Sequence, residues 1–290
     1  MADINRIKGS SGMAGKKKGD TVYIYVFLFI AGAAAFFPVY LTVMTAFRPV
    51  NELFIFPPKI YTLSPTADNF REMYEFLQNL WVPFSRYLFN TVFVTVTVTA
   101  SQCFFCSMAG FVLAKGRFPG RKLINSAIVI TLLYQSNVIY LMQYMVISKL
   151  HMLDTYFALI LPSAVTPLGL FLMRQSISRI PDSMIEAAKI DGAGMFSVYR
   201  YVVMPNQKPA LMTLIIFAFQ NAWNSDSGNF VRSESLKTLS YAVKQAGNSG
   251  LARTGAAMAG SVVILIPPVI IFMAVQKNVM ETMSYSGIKE

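Results

Sequence analysis

The sequence predicts an all-α integral membrane protein of about six transmembrane helices, and two observations carry that prediction. First, 54% of the 290 residues are hydrophobic and only 13% are charged, against about 25% charged in an ordinary soluble domain. In a bilayer the outer face of each helix meets hydrocarbon, so apolar side chains are needed all round and charges retreat to the connections. Second, uncharged stretches recur at residues 22–47, 87–114, 123–148, 155–173, 209–225 and 254–276. About 20 helical residues cross ~30 Å of hydrocarbon, so these six are the expected spans. The fifth is the shortest of them and carries Gln220, Asn221 and Asn224.

Taken in order, the chain divides into a mobile segment at 1–20, rich in Gly, Ser and Lys, a six-helix membrane domain at 21–277, and a short tail at 278–290. The lysines at 16–18 and the small residues at 31–35 resemble a signal peptide and its cleavage site. The apolar run continues through Phe36, Phe37, Val39 and Leu41, past the point where a signal sequence ends, so the first span is read as an uncleaved anchor. Connection 48–86 is the longest; its prolines and apolar residues such as Phe54, Phe56 and Tyr61 predict packing rather than disorder. In the second external connection, 226–253, residues 236–245 suit a short helix.

The net charge of +11 does not point to nucleic acid, because Lys and Arg sit in short clusters between apolar runs rather than on one solvated face. With six spans, sixteen of the 25 basic residues fall on the side of both termini and nine on the other. The positive-inside bias therefore places the termini and the loop 175–208 in the cytoplasm. Cys103 and Cys106 lie within an apolar run and are expected to be packing residues. The one histidine, His151, sits in an external loop, so neither a metal cluster nor His-based catalysis is expected. No metal or cofactor is expected on this chain.

The loop 177–208 carries the chemistry. Ser183 and Glu186 have capping-box spacing, Pro181 and Asp182 favour a nearby helix start, and Gly192 suits the left-handed residue that ends a helix. A second amphipathic turn at 196–203 is expected to close at Pro205. Ala187 and Ala188 allow close approach of another surface, and Ile185, Ile190 and Met195 offer apolar area. That describes a docking element for a soluble partner; the residues alone equally allow an amphipathic loop lying on lipid headgroups.

Here the sequence resembles the membrane-spanning subunits of bacterial ABC importers, whose signature is E-A-A, three residues, Gly, nine residues, then I-x-L-P. Glu186, Ala187, Ala188, Gly192, Val202, Met204 and Pro205 fall at those spacings, with Val202 for Ile and Met204 for Leu. Within that superfamily the chain is similar to MalG-like carbohydrate permeases. It shares Asp191 before Gly192, Asn90 opening the second span, Leu153-Asp154-Thr155 before the fourth, and Trp223-Asn224 ending the fifth; the Gly287-Ile288-Lys289 ending is cut short. The resemblance implies a second, homologous permease forming a heterodimer, two ATPase subunits that bind ATP and Mg, and an extracytoplasmic solute-binding protein. It also implies that Glu186, Ala187, Ala188, Asp191, Gly192 and Pro205 couple to the ATPase. The chain contains no G-x-x-x-x-G-K-[ST] loop, so it is expected to be a transport subunit and not itself an enzyme.

Polar and aromatic side chains at membrane depth are costly unless they pair or face water. Tyr134, Gln135, Asn137 and Tyr140 in the third span and Gln220, Asn221, Trp223 and Asn224 in the fifth are therefore the candidate solute path. Amides suit sugar hydroxyls, although interhelical hydrogen bonding is the equal alternative for each. Pro162 and Pro167 are expected to kink the fourth span. The basic residues of the outer face, Arg48, Arg71, Arg86, Lys149, Arg232, Lys237 and Lys244, suit an acidic oligosaccharide, and equally a contact with the binding protein or partner permease. An ABC permease for another solute remains an alternative. So does a secondary carrier, which would place a charge at membrane depth; none of the six cores holds one.

Overall fold

The computed structural model describes residues 18–55, 60–134 and 136–286, with side chains described for 22–55, 60–134, 139–250 and 252–276. Residues 1–17 of the expected mobile segment, Gln135, and Gly287-Ile288-Lys289 lie outside the described residues, as does the side chain of Asn137. Residues 18–20 already belong to the first helix. Among the described residues the chain is helical throughout, without strands.

Three helices are long and apolar enough to cross a bilayer unbroken. They lie within α1 (Lys18–Ala46), α3 (Phe84–Lys115) and α11 (Thr254–Ser286). Between α1 and α3 lies α2 (Asp68–Gln78), an amphipathic helix that buries Asn69, Met73 and Leu77; the packing of the long first connection lies there, whereas Phe54 and Tyr61 are exposed and Phe56 is outside the described residues. At 32 residues, α3 is ~48 Å long, more than the hydrocarbon thickness, and its ends carry Arg86 and Lys115.

Beside Val94, Val98, Cys106 and Phe111, α3 buries an unusual number of polar side chains while large apolar ones face outward. Its buried face holds Asn90, Thr91, Thr95, Gln102 and Ser107, while Leu88, Phe89, Val92, Phe93, Val96, Phe104 and Phe105 are exposed. That arrangement is stable only where the surroundings are hydrocarbon, since water would reward the reverse. The buried groups are mostly satisfied. Thr91 Oγ1 donates to Tyr87 O at 2.8 Å, Gln102 Nε2 to Ser163 O at 2.7 Å, and Ser107 shares a 2.6 Å hydrogen bond with the Tyr199 hydroxyl. Cys106 is fully buried in the core, a packing position as expected.

The third and fourth expected spans are not continuous helices. Residues 123–148 form α4 (Arg121–Thr131) and α5 (Ser136–Lys149), parted by a turn at 132–134. Residues 155–173 form α6 (Tyr156–Ile160) and α7 (Pro167–Ser178). Here the expected prolines act: Pro167 opens α7 behind Thr166, whose hydroxyl caps the Gly169 N–H. Gly110 and Gly169 let α3 and α7 approach closely, because a Cβ on Gly110 would sit 2.9 Å from Met173 Cβ and one on Gly169 3.0 Å from Cys106 Sγ.

Beyond α7 come α8 (Asp182–Ile190) and a helical segment Met195–Asn206, which meets α9 (Lys208–Trp223) at an 82° bend. The chain thus turns at Gln207, two residues later than the expected stop at Pro205. The stretch Val198–Val203 is a π-helix. Pro205 lacks an N–H and crowds the carbonyl four residues back, and a wider turn relieves that crowding. The expected helix in the second external connection is α10 (Leu239–Asn248). α3 runs along α7 and α9, and α11 against α1, α2, α9 and α10. The lower end of the bundle carries residues 180–207 and the upper end residues 226–253.

Candidate functional site

At the lower end, α8 lies across the ends of α3 and α7. Lys115 closes α3, is almost fully buried, and donates to Ile180 O at 2.5 Å and Asp182 Oδ1 at 2.7 Å. Arg121 donates to the carbonyls of Leu113, Ala114 and Gly116, capping the C-terminus of α3. The Ser183–Glu186 capping box does not form: Pro181 is the N-cap and offers no side-chain bond. Asp182, in the first turn, instead ties the start of α8 to Lys115 at the end of α3. At the other end Gly192 has φ +81°. Gly192 N–H donates to Lys189 O and Ala193 N–H to Ala188 O, both at 3.0 Å, which is the Schellman ending.

This geometry sorts the expected docking residues. Ile185 faces inward, only 6% exposed, in the core with Phe111, Ile177, Ile180, Val198 and Tyr199. It anchors α8 and offers nothing outward, which corrects its expected docking role. Ala188 is half-buried against the same core, while Glu186, Ala187, Asp191 and Gly192 are exposed. Ile190 is 87% exposed, and Met184, Met195, Phe196 and Tyr201 are exposed nearby. Phe196 opens the second amphipathic turn read from the sequence, and Tyr201 lies within the π-helical stretch, whose wider winding shifts which residues share a face.

The Gly192 turn has a clear energetic signature. A Cβ there meets nothing within 4 Å, so substitution is penalised by backbone conformation alone. Gly192→Ala is expected to cost about 1 kcal/mol, and Gly192→Asn less, since Asn tolerates left-handed φ. Amide exchange at Ala193 in the two variants checks the order.

The Lys115–Asp182 pair adds a pH dependence. The hydrogen bond and charge of Lys115 hold the Asp182 carboxyl below its ordinary range. A depressed carboxyl contributes above its unfolded pKa, and that contribution is lost as pH falls through the lowered value. Protection of the α8 amides, taken relative to intrinsic exchange at each pH, is expected to be flat near neutrality and to fall below the ordinary carboxylate range. Lys115→Met should lower it roughly tenfold at neutral pH and remove the acid dependence. An unchanged profile would show that the pair does not hold the helix.

At the upper end, widely separated residues converge on one segment. Asn90 Nδ2 donates to Ser235 O and Lys237 O, both at 2.9 Å, and its Oδ1 accepts from the Tyr156 hydroxyl at 2.7 Å. Asp154, at φ 60°, accepts from Arg232 N–H and Ser233 N–H. Thr91 Oγ1 accepts from Leu239 N–H, and the Tyr87 hydroxyl donates to Glu234. Asn90 and Asp154 thus pin the segment 232–239.

The candidate solute-path residues separate. Tyr134 is exposed, and Tyr140 lines a cavity of about 700 Å³ with Tyr144, Arg232, Lys237 and Tyr241. Asn224 lines a second cavity, about 570 Å³, with Ser240, Lys244, Asn248 and Ser261. Trp223 is buried and its indole N–H donates to Ile264 O at 3.0 Å, joining α9 to α11. Gln220 is half-buried and Asn221 exposed. Among the described residues, the structure does not gather these side chains into one chamber. Ser240 and Ser261 were missed because each stands alone in its own stretch, whereas Lys244 was already among the outer basic residues.

The sequence and fold were compared with known proteins. The chain is similar to the arabinooligosaccharides transport system permease protein AraQ of Halalkalibacterium halodurans, 29% identical over 91% of this chain and 94% of that protein. It is 26% identical to AraQ of Bacillus subtilis over 92% and 95%. It is 28% identical to the sn-glycerol-3-phosphate transport system permease protein UgpE of Salmonella typhimurium over 91% and 96%. Its fold is shared with a chain of a bacterial ABC transporter involved in the import of the acidic polysaccharide alginate, with a TM-score of 0.72, 21% identity, and coverage of 90% and 97%. Residues 106–285 match the family described as the binding-protein-dependent transport system inner membrane component, and the chain belongs to that family.

Proposed function

We propose that this chain is one of two permeases in an ATP-driven importer of carbohydrates and that it couples to the ATPase through α8. The observation that carries the coupling is a helix fixed from within by Ile185 and Lys115 that still shows Ile190 and Met184 outward. A helix held that firmly moves as one body with the segment Met195–Asn206 it packs on and with the end of α3, to which Lys115 ties it. Closure of an ATPase pair against it would bias the inward-open and outward-open states by differential contact. Glu186, Ala187, Asp191 and Gly192 supply the exposed face, and ATP and Mg would be held by the ATPase subunits.

Carbohydrate as cargo rests on the similarity to AraQ over nearly the whole chain and on cavities lined by amide, hydroxyl and tyrosine side chains. In this reading both termini and α8 are cytoplasmic, and the upper end meets the solute-binding protein.

The test is copurification of the chain with its second permease, ATPase and solute-binding protein, followed by ATP hydrolysis against a panel of oligosaccharides. Stimulation by a loaded binding protein is the expected result. Absence of any ATPase from the purified assembly would remove the coupling role.

A further inference from the structure

We infer that the upper-end cavity between α5 and the segment 228–241 is a subsite for an anionic carbohydrate, in which Arg232 and Lys237 meet the acidic group and tyrosine rings meet the sugar. The inference rests on the carbohydrate-importer reading and names a substrate class for it. The cavity, about 700 Å³, is within the ~300–1,000 Å³ typical of small-molecule sites.

The lining is built rather than accidental. Arg232 is exposed to the cavity, and among the described residues its guanidinium has neither an ion pair nor a hydrogen bond. Its backbone is fixed, since Arg232 N–H and Ser233 N–H both donate to Asp154 at 3.0 and 2.7 Å. Lys237 Nζ sits 3.6 Å from the Tyr241 ring centroid, and its backbone carbonyl is held by Asn90. The Tyr140 hydroxyl accepts from Asn229 N–H at 2.7 Å, which fixes that ring against the same loop. Lys237 and the Tyr140 ring are therefore placed before any ligand arrives, while the Arg232 guanidinium, fixed only at its backbone, is left to close on the anion.

The charges nearby favour an anion. The Asp154 carboxylate is already taken up by two backbone N–H groups. Glu234 accepts from the Tyr87 hydroxyl at 2.7 Å and stands 3.8 Å from Lys237. Lys237 is thus shared with Glu234, whereas among the described residues no carboxylate pairs with the Arg232 guanidinium, which leaves Arg232 as the cation open to an anion. A guanidinium suits a carboxylate or phosphate by paired hydrogen bonds, so a uronic acid and a phosphorylated polyol share the required chemistry. The tyrosine faces favour the uronic acid, whose ring has an apolar side to lay against them, whereas a glycerol phosphate has no ring.

The experiment uses the assembled permeases and ATPase without the binding protein, so that binding reports on the permeases alone. Equilibrium binding is measured for a uronate trisaccharide, the matching neutral trisaccharide and glycerol 3-phosphate. The uronate is expected to bind about tenfold more tightly than the neutral sugar, with the preference shrinking as salt rises. Arg232→Gln and Lys237→Gln are each expected to erase that preference, Arg232→Lys to keep most of it, and Lys149→Gln, at the same end, to leave it unchanged. Glycerol 3-phosphate showing the preference in place of the uronate would support the anion subsite and identify a phosphate source. Equal losses for charged and neutral sugars, or no loss with either variant, would overturn the subsite while leaving the importer reading intact. If no sugar binds and none stimulates ATP hydrolysis, the importer reading fails and the subsite with it.

Discussion

Ile190→Asp is expected to leave the membrane domain folded and to abolish its assembly with the ATPase. Ile190 is 87% exposed, so the change removes almost no contact within this chain. In the assembly an isoleucine buried in a partner groove contributes roughly 1.5–3 kcal/mol, and a carboxylate put there adds its own desolvation penalty. Affinity should fall by about a hundredfold or more. Copurification of the ATPase with the variant, read against unchanged melting of the permease pair, checks both halves of the expectation. Ile185→Asp is the informative contrast. At 6% exposure within the lower core, it should lower the melting temperature and the yield of the permease itself. If the two variants behaved alike, the division of α8 into an anchored and a docking face would be wrong.

Asn90→Asp is expected to unfasten the upper end. The substitution keeps shape and reverses chemistry, replacing an amide that donates to Ser235 O and Lys237 O with a carboxylate facing two carbonyl oxygens. Asn90 is fully buried, so two acceptors lose their donor and an anion loses its water, which together cost about 3 kcal/mol or more. Protonation of the new carboxyl would recover one donor, so the defect should lessen in acid. Limited proteolysis of the segment 226–238 in right-side-out vesicles should be faster in the variant at neutral pH and slower again at lower pH. Tyr156→Phe removes only the bond to Asn90 Oδ1 and should have a much smaller effect.

Much of the fold was legible because hydrocarbon imposes a coarse rule. A run without charge long enough to cross the bilayer is a span, and α1, α3 and α11 follow it. The rule measures length, not backbone continuity, which is why the breaks between α4 and α5 and between α6 and α7 were less visible. Only the second had a local signal, in Pro162 and Pro167. The ending of α8 was legible at Gly192, where a positive φ selects for glycine. Its start was not, because the capping-box pattern at Ser183 and Glu186 is local, whereas Lys115, distant in sequence, supplies the interaction at Asp182.

The same limit applies to the sites. Ile185 and Ile190 look alike in the sequence, and only the packing of α8 on α3 and α7 tells the anchor from the exposed face. Asn90 and Asp154 were visible through family resemblance, but not the fact that both hold the segment 232–239. Arg232 and Lys237 were two among seven outer basic residues. The cavity that unites them exists only after Asp154 and Asn90 have bent the chain around it.

The most direct test is to measure carbohydrate uptake and ATP hydrolysis in the same proteoliposomes, holding this chain, its second permease, the ATPase and the binding protein. Uptake should require both ATP and the binding protein, and Ile190→Asp should abolish it together with the stimulated hydrolysis. Uptake that proceeds without ATP, driven by an ion gradient and indifferent to Ile190→Asp, would contradict the account and identify a carrier instead.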